Sequence, residues 1–560
     1  MVSCLLQFPN PLNHRIHVTM TFSSLSVGTQ NFTLPAWRPG RYELAPFANN
    51  IYDFQAFSSN DQQINWKKSA PNVWSIDNPK TQDITLRYEY YAYKMDAGNS
   101  LVDEEQIYIN FINCLFFHSS SLGSPHQLKL DIPSDYTIAC ALGNTSSIES
   151  EDYYQLVDSP LIASGILNTI SYQVGDHNFH LVFMGKHPLD EKLILADFEK
   201  FTRAQVDTMG SFPCKDYYFL IQSLHYKHYH GVEHQNSTVL VLGPNDTDNQ
   251  EKYREMLLGV ASHELFHAWN VCRIRPNEMS PYDFAKETLF ETGFVAEGFT
   301  TYYGDLFLKT SGVLSEQEYY NEINTLLQRH FQNYGRFESS LIQSSLNLWV
   351  DGYHNSLPSK KVSIYIKGAL VSLILDIQLR KQSNNQHALI DVIKQLYEKH
   401  TYSLGGYSTQ DIYHIIESIG GIKMVDLARV LVETTAPLDP ILKETLAIVG
   451  CQLEVTEHCN QLTSDTGLLL DGNQIMDLAP NSPSSQYFSI GDQILQINGQ
   501  DYDSTKEIAS PYQISFLRNG KERQHLISKG EHTYYSYYRV LPVQNTNADQ
   551  DKFKKAWINC

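Results

Sequence analysis

The chain has 560 residues, 42% hydrophobic and 19% charged, with a formal charge of −20. This length exceeds one ordinary domain and calls for several packed units. The acidic balance excludes nucleic acid as a main partner, because phosphate binding needs a basic surface, and no run approaches the roughly 18 apolar residues of a membrane span.

Residues 1–165 read as β structure. "RIHVTMTF" and "HQLKLDIP" alternate apolar and polar, "DITLRYEYYAYKM" is rich in Tyr and β-branched residues, and "PNPLN", "RPGR", "SAPN" and "NPK" punctuate them as turns. No convincing helix intervenes, so a β-sandwich-like N-terminal domain is expected. From 166 to about 245, "NFHLVFMG" and "STVLVLG" read as strands around the helical spacing of "LILADFEKFTRAQVDTMG". Helices then dominate to 450. Among them are "EKYREMLLGVASHELFHAWNV", "LFETGFVAEGFTTYYGDLFLKT" and "YIKGALVSLILDIQLRKQ", and Ser315 and Ser408 stand as N-caps of two others. Short strands return over 451–540 ("GLLLDGN", "QIMDLAP", "DQILQING", "YQISFLRNG"), and 541–560 reads as a polar tail with a short helix. The expected fold class is multidomain α+β.

The eight cysteines (Cys4, Cys114, Cys140, Cys214, Cys272, Cys451, Cys459 and Cys560) form no CxxC pair. Their scatter fits reduced, mostly buried thiols better than a disulfide framework or a structural zinc site. The N-terminus "MVSCLLQFPNPLNHRIHV" lacks a basic n-region and a clear cleavage site. The expectation is a cytoplasmic protein.

The chemistry concentrates in "SHELFHAWN", 262–270. His263 and His267, four positions apart, lie on one face of a helix, where both imidazoles reach a single tetrahedral ion. Glu264 points about 100° around the helix and can serve a water at the metal without ligating it. The alternative, a pair of hydrogen-bonded core histidines, leaves two His and a Glu amid Leu, Val, Ala, Phe and Trp without a reason. A catalytic zinc needs a third protein ligand and an open position. Glu297, in the apolar helical run "VAEGFTTYYGD", is the choice. Glu287 and Glu291 sit where a helix start explains acidic residues by its dipole. Asp305 reads as a partner for a ligand imidazole or as an ordinary surface carboxylate, Tyr302 and Tyr303 as pocket lining or packing, and Arg273 and Arg275 as ligand supports, carboxylate binders or helix-end cations.

"HELFHAWNVCRIRP", "VAEGFTTYYGDL", "HGVEHQNSTVLVLG" and "YIKGALVSLILDIQLR" together resemble the glycyl aminopeptidase family of zinc metallopeptidases. "WRPGRYELAPFANNI" (37–51) is similar to that family's N-terminal signature and "SIGDQILQINGQ" (489–500) to the core of a PDZ domain. The resemblance implies a β domain over 1–165, a thermolysin-like, mainly helical catalytic domain over 166–450, a PDZ-like β domain over 451–540 and a tail over 541–560. It implies one Zn2+ per chain, held by His263, His267 and Glu297, with Glu264 as general base and Tyr365 of "YIKGA" stabilising the oxyanion. It further implies that Glu233 of "HGVEHQN", with Gly231 and His234 beside it and Asn236 a weaker candidate, holds the free α-amino group of a peptide substrate, and that small N-terminal residues, Gly or Ala, are favoured. The PDZ-like unit is expected to cap a peptide C-terminus at "TGLLL" (466–470), or to dock within the chain. Leu469 stands where the usual loop has its second Gly. Two other readings remain: a zinc endopeptidase to which the PDZ-like unit presents substrate, and a catalytically silent peptide-binding scaffold.

Overall fold

Alternation carries the first part of the chain. In Arg15–Leu25, Ile16, Val18, Met20 and Phe22 point inward and their neighbours do not, until a bulge between Phe22 and Leu25 shifts the register. This strand lies inside a seven-stranded sheet, flanked by Val2–Gln7 and Gln82–Tyr91. Val18 and Met20 share one apolar cluster with Phe32, Trp74 and Ile76, which come from a separate four-stranded sheet. Two short helices, Phe111–Cys114 and Tyr153–Val157, interrupt the strands where the sequence pattern indicated none. At four and five residues they are too short to display a 3.6-residue period.

A computed structural model describes residues 1–245, 249–353, 357–503, 506 and 508–558. The chain forms two compact units. The first joins residues 1–289 with 303–313 and 396–407; the second joins 290–302, 314–395 and 408–560.

Beyond its N-terminal sheets, the first unit holds a five-stranded mixed sheet in the order Asn168–Val174, His177–Met184, Asp216–Ser223, Ser237–Gly243, His228–Glu233. Helix Glu191–Met209 makes the crossover between the parallel strands His177–Met184 and Asp216–Ser223. Ser237–Gly243 is buried along its whole length, as a strand covered on both faces must be. His228–Glu233 is the outer strand, antiparallel to Ser237–Gly243. Residues 230–233 of "HGVEHQN" therefore belong to this edge strand, and 234–236 form the turn after it. Helix Gln250–Phe266 packs on these last two strands.

In the second unit, Ser315 and Ser408 each form a capping box, with Glu318 and Asp411 reaching back to the cap backbone. Helix Ile366–Gln382 is buried nearly all round, which its apolar surface requires. The region 451–540 contains the sheet Leu468–Asp471, Gln474–Leu478, Gln493–Ile497, Tyr512–Arg518, Lys521–Ile527, with its own core around Leu468, Ile475, Ile494 and Phe516. The segment 466–470, the expected carboxylate loop, joins a helix to a strand. Thr466 ends helix Gln461–Thr466, Gly467 turns in the left-handed region (φ 77°), and Leu468 begins a paired strand. The final helix, Ala548–Ile558, is anchored: Trp557 is fully buried and its Nε1 donates to Tyr302 Oη at 3.0 Å, while Arg380 donates to Ala556 O.

Candidate active site

The metal helix starts at Asn249, whose side chain accepts from Lys252 N, and ends at Phe266, one turn after His263. His267 is the C-cap residue, still in right-handed helical geometry, so the four-residue spacing keeps both imidazoles on one side. The chain then turns sharply. Val271 is held at φ 97°, a conformation that a β-branched residue adopts only under constraint. That turn brings the Asn270 carbonyl to 2.7 Å from His267 Nδ1. A carbonyl only accepts, so Nδ1 carries the proton and the neutral ring leaves a lone pair on Nε2. His267 Nε2 lies 3.1 Å from His263 Nε2. Two nitrogens bound to one tetrahedral ion at ~2.0–2.1 Å stand about 3.3 Å apart, so this pair fits a metal with little adjustment. His267 is buried and His263 half-buried, open on one side.

Glu264 and Glu233 approach the same place. Both are buried, and donor atoms of Glu233, Glu264 and His267 all lie within 4.8 Å of one another. Two glycines permit this. A Cβ on Gly231 of the edge strand would run into the Glu264 carboxylate, and one on Gly40 (φ 78°) would run into Glu233. The "RPGR" turn of the N-terminal β region thus closes over Glu233. Its neighbour Arg38 helps hold Asp96 down at about 2: burial pushes that carboxyl up, but bonds from Asn99 and the charge of Arg38 outweigh it. His230, on the same edge strand, is driven down to about 3 by burial and then by Arg38, and stays neutral.

The other residues singled out by the sequence divide as follows. His234 is buried, with Nδ1 3.1 Å from Asp158 Oδ1. Arg273 braces the turn after the edge strand through the Gln235 carbonyl and Asn236 Oδ1. Tyr303 packs on Phe266 and Phe307. Tyr302 bonds to Asp376 Oδ2 and accepts from Trp557 within the second unit, so it is packing rather than pocket lining. Asp305 is half-buried. Glu287 and Glu291 are exposed and precede the helix rather than opening it, and Glu291 accepts from Thr409 Oγ1.

In the second unit, Glu297 lies in a turn of π-helix, Phe294–Phe299, that runs on into helix Thr300–Thr310. It is 2% exposed. The wider π turn is a common device for re-aiming one side chain at a functional site. Tyr365 is the N-cap residue of helix Ile366–Gln382. These two helices touch through glycine: a Cβ on Gly298 would stand 2.6 Å from Gly368 Cα, closer than any real side chain comes. The sequence pattern offered no sign of this crossing, of the π turn, or of the Asn270 and Gly40 backbone contacts.

Parts of the chain match known families, and its fold matches a solved structure. Residues 4–165 match the Peptidase M61 N-terminal domain, and residues 256–371 match the M61 glycyl aminopeptidase domain. None of the curated proteins matches the chain. Among solved structures, an aminopeptidase N family protein from Idiomarina loihiensis is 22% identical over 100% of both chains, with a TM-score of 0.88, and so shares the fold. The M1 zinc metallopeptidase of Deinococcus radiodurans, in a mutant bound to a Tyr-Ser-Ala substrate, is 15% identical over 78% of this chain and 94% of that one, with a TM-score of 0.49.

Proposed function

We propose that this chain, a metallopeptidase carrying the N-terminal and catalytic domains of the M61 glycyl aminopeptidase family, is a zinc aminopeptidase that removes small N-terminal residues. The observation that carries the reading is the closeness of Glu233 to the catalytic pair, within the 4.8 Å cluster of Glu233, Glu264 and His267. In a peptide the α-amino nitrogen is only about 2.5 Å from the first carbonyl carbon. A carboxylate that holds the ammonium of a substrate poised at the metal must therefore sit beside the base, and Glu233 does. Being buried, it favours a charged partner over an uncharged chain, and Gly40 packs directly against its carboxylate.

His263 and His267 would hold the ion, with Glu297 as third ligand. Support for Glu297 is its own setting, a carboxylate 2% exposed within a turn of π-helix. A bound zinc ion polarises the scissile carbonyl and acidifies the attacking water. Glu264 takes the proton of that water and passes it to the leaving amine. Tyr365 donates to the carbonyl oxygen as it becomes anionic. Glu233 fixes the amine end. The preference for Gly or Ala rests on the family alone. The 451–540 region is read as PDZ-like, serving as a docking module. A cytoplasmic setting is supported by the seven described cysteines standing as free thiols. The test is hydrolysis of Gly- and Ala-anilides against N-acetylated counterparts: strong cleavage of the blocked substrates, with Glu233→Ala harmless, overturns the reading in favour of an endopeptidase.

A further inference from the structure

A cavity of about 390 Å³ opens beside the amine wall, within the first unit. Its lining includes Pro39 and His234, the residues next to Gly40 and Glu233, so it adjoins the amine wall. Its size suits one or two residues of a ligand rather than a through-running chain. Arg38 and Arg275 also line it and are 5% and 6% exposed.

Neither arginine has a carboxylate at ion-pair distance among the described residues. The Arg275 guanidinium lies 3.7 Å over the Tyr282 ring and 4.9 Å from that of Tyr402, and donates over long distances to the Val271 and Cys272 carbonyls, at 3.4 and 3.3 Å. Arg38 donates once, to the Pro39 carbonyl. Each carries five N–H donors, so most of their donor capacity is unspent; Arg38 has the charge of Asp96 near it without a hydrogen bond to it, and for Arg275, held only by ring faces and long carbonyl contacts, burial is costly. The acidic residues of the lining do not supply one. Asp158 is taken by His234 and by Gln235 N, Asp152 caps helix Tyr153–Val157, and Glu151 is exposed at the rim.

We propose that this cavity is a carboxylate-binding subsite, taking a carboxylate of the same peptide whose amine Glu233 holds, with Arg38 and Arg275 as its ligands. The identity of the carrier as a peptide rests on the aminopeptidase reading; the affinity for a carboxylate does not. Two sources share this chemistry: the C-terminus of a very short peptide, which keeps a small N-terminal residue, and an acidic side chain on the N-terminal residue, which would replace the preference for Gly or Ala. Either makes the enzyme selective for small anionic peptides.

The experiment uses the full chain, zinc-loaded and carrying Glu264→Gln so that probes bind without being cleaved. Trialanine, its C-terminal amide, and Asp-Ala-Ala amide are titrated calorimetrically. One of the two carboxylate-bearing probes is expected to bind tenfold or more tighter than the neutral amide, as a charge-assisted pair commonly provides. The winning probe identifies the source. Arg275→Gln and Arg38→Gln are expected to abolish that advantage, and Arg38→Lys to restore part of it; Arg38, on a turn, serves if Arg275→Gln does not fold. Affinities within twofold for all three probes overturn the proposal, as does a preference that survives both substitutions. Cleavage of an alanyl anilide by the unsubstituted enzyme judges the aminopeptidase reading separately. With cleavage present and affinities equal, the subsite falls alone. With cleavage absent but arginine-dependent binding present, the subsite stands and the role of Glu233 falls.

Discussion

His267 shows how much of this site is set by single contacts. Its Nδ1 bond to the Asn270 carbonyl selects the tautomer that leaves Nε2 bare toward His263, and the strained Val271 turn holds that carbonyl in place. Glu264→Gln keeps the shape of the base but not its proton affinity. It is expected to retain stoichiometric zinc by metal analysis while kcat falls by about 10²–10⁴-fold; full metal and equal activity would remove Glu264 from the reaction. Gly231→Ala tests the close passage of the edge strand. Its Cβ has to displace the Glu264 carboxylate, so kcat is expected to fall by at least ~10-fold with a nearly unchanged melting temperature. An unaffected kcat would mean that the carboxylate is free to relocate.

Helices carry the proposed ligands, and glycines let neighbouring helices meet. Gly298 and Gly368 cross without side chains in the second unit, fixing the turn of Glu297 against that of Tyr365. Gly368→Ala forces them apart and is expected to cost about 1–3 kcal/mol of stability in urea unfolding, with zinc affinity falling in parallel. A variant as stable as wild type would show that the crossing has slack. At this scale the sequence was most legible. Alternation marked Arg15–Leu25, 3–4 spacing marked the metal helix, and Ser315 and Ser408 marked two helix starts. Short or irregular elements escaped because they are too brief to show a repeated period: helix Phe111–Cys114 has four residues and the π-helix Phe294–Phe299 six. The His pair, Glu264 and Glu297 were legible because polar residues inside apolar helices demand a reason. Arg38, Arg275 and Tyr402 come to one cavity through tertiary folding alone, so no local pattern joins them.

For the whole molecule, buried histidines set the acid limit. His230 and His330 are both pushed down to about 3, chiefly by burial, helped by Arg38 in the first case and Lys367 in the second. The unfolded chain binds protons at these groups below about pH 6.5 and the folded chain does not, so stability is full above that pH and falls as pH drops toward 3. Each histidine is expected to cost roughly 2 kcal/mol between pH 7 and pH 5, and His330→Gln to reduce the measured difference by about that amount. An unchanged slope would mean that His330 titrates normally in the folded protein. No helix among the described residues is long and apolar enough to cross a membrane. The central claim is that one site, bounded by Glu233, removes residues from free N-termini. It is tested most directly by the ratio of hydrolysis rates for alanyl anilide and its N-acetylated form on zinc-loaded wild type. The account predicts a ratio of at least ~100 from loss of the buried ammonium–carboxylate pair. A ratio near one would contradict it.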